Sequence, residues 1–187
     1  MTRDVIRRLP KTDLHVHLDG SLRLPTLIEL ARERGIELPS YTEDGLRETV
    51  FRPRYANLGE YLDGFRYTVA VLQNREALER TTFELCEDCQ AEGVRYVEIR
   101  FAPQLHVRRG FEFPDVVRAV DAGIRRASDA FNSRAEVAAG LEPRFVAGII
   151  LCALRYFTPD LSEGYKRIIE ALPEASPHEW HAAASMQ

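Results

Sequence analysis

The chain has 187 residues, 45% hydrophobic and 29% charged, with 11 Gly and 10 Pro, which is ordinary globular material rather than a disordered or fibrous chain. Its 25 Lys and Arg against 29 Asp and Glu leave a net charge of −4 with both signs scattered, so no basic stripe suits a nucleic-acid polymer. No stretch reaches the roughly 18 apolar residues of a membrane span, and the first residues lack the apolar run of a secretory leader. The 3 cysteines (Cys86, Cys89 and Cys152) then lead to the expectation of reduced thiols in a cytoplasmic setting.

In chain order, the first β signal is Asp13-Leu14-His15-Val16-His17-Leu18, which alternates with period two and ends at Asp19-Gly20. A helix follows, with Pro25 in its first turn, Leu24, Leu27, Ile28 and Ala31 on one face, and Gly35 at its stop. Residues 36–57 read mostly as loop, with a short helix over Glu43 to Thr49. The next periodic face is Leu58, Tyr61, Leu62, Phe65, Val69 and Leu72, and the one after it is Leu78, Thr82, Leu85, Cys86 and Cys89, closed by Gly93. Val94 to Ala102 reads as a second strand ended by Pro103. Phe113-Pro114-Asp115 opens a helix whose face is Val116, Val117, Val120, Ile124, Ala127 and Phe131. Phe145 to Leu154 is a near-continuous apolar run, the pattern of a third strand covered on both faces. A last helix shows Leu161, Tyr165, Ile168, Ile169 and Leu172, and residues 173–187 have no period and read as a tail.

Strands separated by helices imply α/β architecture around a parallel sheet. Three strands are too few for a closed (β/α)₈ barrel, which needs eight. The fold expected is a partial (β/α)₈ TIM barrel over residues 1–172, followed by an irregular tail over 173–187.

His15 and His17 stand two apart on the first strand, so both imidazoles project from one face. Neutral imidazole nitrogens suit Zn²⁺, and a strand's C-terminal end is where barrel enzymes place their chemistry. Catalytic zinc takes three or more protein ligands, so the pair is half a site. The bland alternative is two structural histidines. Cys86-x-x-Cys89 falls mid-helix on an apolar face with no second pair, which marks buried structural thiols. His178-Glu179-Trp180-His181 is one residue short of H-E-x-x-H and carries no metal reading.

The run Lys11-Thr12-Asp13-Leu14-His15-Val16-His17-Leu18-Asp19-Gly20-Ser21-Leu22 resembles the metal-binding opening of adenosine deaminases, members of the amidohydrolase superfamily of (β/α)₈ barrels. Tyr96-Val97-Glu98-Ile99-Arg100-Phe101-Ala102-Pro103 and Ile150-Leu151-Cys152-Ala153-Leu154-Arg155 are similar to that family's second and third strand motifs, so the likeness covers about residues 8–172. It implies zinc ligation by His15 and His17, a place beside the substrate for His17, and a ribose contact for Asp19. A relative acting on free adenine tends to carry Glu at that last place. It also implies that Leu58, Tyr61, Leu62 and Phe65 line a lid over the purine, whereas plain core packing is the alternative for such a face.

The implied reaction is zinc-dependent hydrolytic deamination of adenosine to inosine, with adenosine or a related purine as the small-molecule substrate and neither a nucleic-acid polymer nor a membrane as partner. The family's third zinc-binding His, its His-Ala-Gly-Glu segment and its Asp-Asp pair do not occur in this sequence. No catalytic proton donor is therefore assigned, and the expectation is a truncated form with little activity. The competing expectations are another H-x-H metallohydrolase (an adenine deaminase or a phosphoesterase) and a non-catalytic fragment.

Overall fold

The computed structural model describes Thr2, Val5, Ile6 and residues 9–154. Strands β1 (Lys11–His17), β2 (Val94–Phe101) and β3 (Val146–Leu151) form one parallel sheet in the order β1-β2-β3. Parallel neighbours cannot be joined by a tight turn, so each connection carries helices. Between β1 and β2 lie α1 (Leu24–Arg34), α2 (Glu43–Thr49), α3 (Leu58–Leu62), α4 (Phe65–Val71) and α5 (Arg75–Ala91). Between β2 and β3 lie a 3₁₀ turn (Pro103–Leu105), α6 (Phe113–Asn132) and α7 (Ala135–Ala138). This is an open section of a (β/α)₈ barrel, as the strand spacing predicts.

Local chemistry sets these boundaries. Gly35 takes φ 64° and its N–H meets the carbonyls of Ala31 and Arg32, which stops α1. Asn74 Oδ1 accepts from the Ala77 N–H at 2.9 Å and starts α5. The helices α5 and α6 pack on β2 through Leu78, Leu85, Val97, Ile99, Val116, Val120 and Phe101, all buried. Their close approach depends on Gly123, where a Cβ would stand 2.5 Å from the Glu79 carbonyl oxygen and 2.7 Å from Thr82 Cβ. Cys86 and Cys89 are buried in this layer, and burial pushes their thiols up to about 12 and about 11.

The structure corrects two details. The single helical face expected from Leu58 to Leu72 is interrupted at Asp63-Gly64, and α3 has no buried residue while α4 buries Thr68 and Val71. β1 is irregular as well: Asp13 pairs with Val97 and Val16 with Ile99, so three steps of β1 face two of β2. That bulge turns Leu14 out, 55% exposed, instead of opposite the histidines. Ile149 and Leu151 are half-buried against the core. Arg155, the helix expected over 161–172, the tail and the His178–His181 run lie outside the described residues.

Candidate functional site

Parallel register brings the site together. His17 pairs with Arg100, and Arg100 with Ile150, so these three residues form one row on the face opposite α5 and α6. The bulge places His15 on that same face. Its backbone N–H donates a 3.0 Å hydrogen bond to Asp13 Oδ1, which replaces the ladder bond a bulged residue forgoes. Just past the strand, the Leu18 N–H donates to the Arg100 carbonyl at 3.0 Å, and Ser21 Oγ donates to the His17 carbonyl at 2.6 Å. The strand end is thereby fixed, with Asp19 buried beside it.

The His15 and His17 rings are exposed, with centroids 5.3 Å apart, and their Nε2 atoms stand 3.3 Å apart. Two nitrogens each about 2.0–2.1 Å from a tetrahedral ion are separated by roughly 3.3–3.4 Å. The pair therefore fits zinc. The same spacing also suits one N–H···N hydrogen bond, so the geometry admits a metal without requiring it. Among the described residues no group of three ligating side chains forms.

His17 Nδ1 lies 3.7 Å from Asp19 Oδ1, too long for a hydrogen bond and an ion pair only when the imidazole is protonated. Partial burial holds the His17 pKa below its ordinary value, with His15 and Arg100 acting in the same direction and Asp19 opposing them. Burial also raises the Asp19 carboxyl, against the pull of His17 and of the Asp19 and Gly20 backbone. Asp19 Oδ1 is buried with no hydrogen-bond partner, and so is Arg100 Nε. A buried acceptor and a buried donor on residues next to His17 thus lack hydrogen-bond partners, which a polar ligand can supply.

Of the four apolar residues read as a lid, Phe65 reaches the site. Its Cε1 would lie 3.4 Å from a Cβ at Gly20, the neighbour of Asp19. Tyr61 stacks edge-on to Phe65 at 5.6 Å and to Tyr55 at 5.3 Å, forming an aromatic row outward from Gly20. Leu58 and Leu62 are 69% and 51% exposed. That exposure argues against plain core packing for α3.

Reading the sequence alone missed three residues. Arg100 and Cys152 sit in recognised motifs, but only the parallel register shows that Arg100 flanks His17 and that both Arg100 and Asp19 act on the Cys152 thiol. His106, fully buried behind β2, gave no sequence signal because its partner, Leu72, is 34 residues away.

Three parallel strands with helical crossovers define a section of a TIM barrel, with His17 and Arg100 at the C-terminal ends of β1 and β2. The family model described as adenosine deaminase matches residues 10–173, and the chain belongs to that family. A probable adenosine deaminase of Dictyostelium discoideum is 39% identical over 169 residues, which are 90% of this chain and 20% of that protein. The adenosine deaminase of Clostridium perfringens is 47% identical over 125 residues, 66% of this chain and 38% of that protein. The chain thus spans less than half the length of these relatives. Among solved structures, the N6-mAMP deaminase of Arabidopsis superposes with a TM-score of 0.65 at 26% identity, covering 90% of this chain and 48% of that one.

Proposed function

We propose that this chain supplies the metal-binding strand end and the purine-covering segment of a zinc-dependent deaminase acting on adenosine. The observation that carries the reading is the 3.3 Å separation of the His15 and His17 Nε2 atoms on the open face of β1. Zinc, when bound, supplies Lewis acidity and activates water for attack near neutral pH. His15 and His17 would hold that ion through their convergent Nε2 atoms. Asp19 accepts from a ribose hydroxyl through Oδ1, the oxygen that has no hydrogen-bond partner within the protein. Phe65, seated on Gly20, and Tyr61 beyond it offer an apolar wall to the purine and exclude water.

Proton donation to the purine ring is a separate requirement, typically worth about 10²–10⁴-fold in rate. No residue of the given sequence is assigned that role, so the reading is tested by binding rather than by turnover. Substrate class is therefore read by binding. Equilibrium dialysis with zinc present should show adenosine bound more tightly than adenine, with Asp19→Ala removing the difference. Equal binding of adenine and adenosine, or preferential hydrolysis of a phosphate ester, would overturn the nucleoside reading.

A further inference from the structure

The joint between α4 and α5 contains a buried histidine that the proposed chemistry leaves unused. His106 Nδ1 lies 2.8 Å from the Leu72 carbonyl oxygen. A carbonyl only accepts, so the ring carries its proton on Nδ1. Nε2 is buried without a partner and the ring packs near Phe101, surroundings in which a second proton and its charge are disfavoured.

This bond is one half of an exchange. Gln73 follows Leu72, and its Nε2 donates to the Leu105 carbonyl at 3.0 Å and to the Val69 carbonyl at 2.8 Å. The side chain of His106 therefore holds the backbone at Leu72, while the side chain of Gln73 holds the backbone at Leu105. The loop after β2 and the end of α4 are clasped to each other. Leu72 and Val71 are fully buried beside the clasp.

The other side of Gly64 is held differently. Helix α3 buries nothing and is tethered through the Arg52–Glu60 ion pair and the Tyr55–Tyr61–Phe65 ring contacts. Gly64 itself sits between the two helices, in the turn that divides them. A segment with no buried side chain opens at low free-energy cost, whereas one bolted by buried hydrogen bonds does not.

We propose that His106 and Gln73 are positioning residues for the purine-covering segment: they pin α4, and with it Phe65 against Gly20, to the β2 loop, and leave α3 to swing about Asp63-Gly64. The inference rests on reading α3 and α4 as that cover. Hydrogen exchange of the full chain, followed separately over residues 58–62, 65–72 and 94–101, tests it. The first segment should exchange fastest. His106→Phe keeps the ring and removes the donor, and Gln73→Met removes the reciprocal one. Each should speed exchange over 65–72 about tenfold and leave 94–101 unchanged. His106→Asn, whose amide nitrogen reaches the place of Nδ1, should restore slow exchange.

Unchanged exchange over 65–72 in Gln73→Met, or no rescue by His106→Asn while β2 stays protected, would overturn the clasp. Should His106→Phe fail to fold, the half-buried Gln73 decides. Adenosine affinity, measured on the same variants, separates the two ideas. Loosened α4 with unchanged affinity would keep the clasp and remove the cover reading.

Discussion

The layer formed by α5 and α6 and the strand end around His17 solve opposite problems. In the layer, Thr82 and Glu84 find partners inside the protein, while Thr81 Oγ1 is buried without one. Thr82 Oγ1 donates to the Leu78 carbonyl at 2.7 Å, and the Glu84 carboxylate, 8% exposed, takes Thr26 at 2.6 Å and Arg80 at 2.9 Å. At the strand end, Asp19 Oδ1 and Arg100 Nε are buried with no partner, and the paired imidazoles face outward. Leaving such groups unfilled destabilises the fold, and the same unfilled capacity is what a ligand can use. The first region holds the scaffold; the second leaves hydrogen-bonding capacity unfilled within the protein.

That contrast predicts large stability losses in the layer, and the exposure of α3 predicts small ones there. The largest belongs to Gly123→Val, because the new side chain would meet the Glu79 carbonyl and Thr82. Overpacking of this kind should lower unfolding stability by roughly 3 kcal/mol in urea titrations. A loss under roughly 0.5 kcal/mol would mean that the helices separate freely.

An intermediate effect should come from His106. Burial holds its pKa down at about 4, with the Leu72 bond opposing. The folded state therefore binds fewer protons than the unfolded chain, whose histidine titrates near 6.5. The contribution is fully present above pH 6.5 and is lost as pH falls from 6.5 toward 4, with roughly 2 kcal/mol gone by about pH 5. Unfolding free energies of wild type and His106→Asn at pH 7 and pH 5 should differ by that amount in their pH dependence. Identical slopes would contradict it.

The smallest effect is expected at the exposed helix α3. Leu58→Ser and Leu62→Ser should change stability by under roughly 0.5 kcal/mol, since neither side chain is buried. A loss of 2 kcal/mol or more, by the scale of buried leucines, would return α3 to the core.

Much of this was legible in the sequence, for reasons that also explain the omissions. The α5 and α6 faces were readable because α5 buries Leu78, Thr82, Leu85, Cys86 and Cys89, and α6 buries Val116, Val117, Val120, Ile124, Ala127 and Phe131, all at helical spacing. His15 and His17 were readable as a pair because period two puts alternate residues on one face. The bulge at Leu14 and His15 was not, since period-two reasoning assumes a regular ladder. The break at Asp63-Gly64 was hidden by apolar residues that keep helical spacing across it. His106 with Leu72, and Arg100 beside His17, are joined only by topology.

The most direct test of the central claim, that the strand-end imidazoles form a metal site, is a zinc titration by calorimetry on wild type, His15→Ala and His17→Ala. Two imidazoles rather than a full ligand set should give weak binding, and each substitution should lower the affinity by at least about tenfold. Tight stoichiometric zinc binding unaffected by either substitution would contradict it.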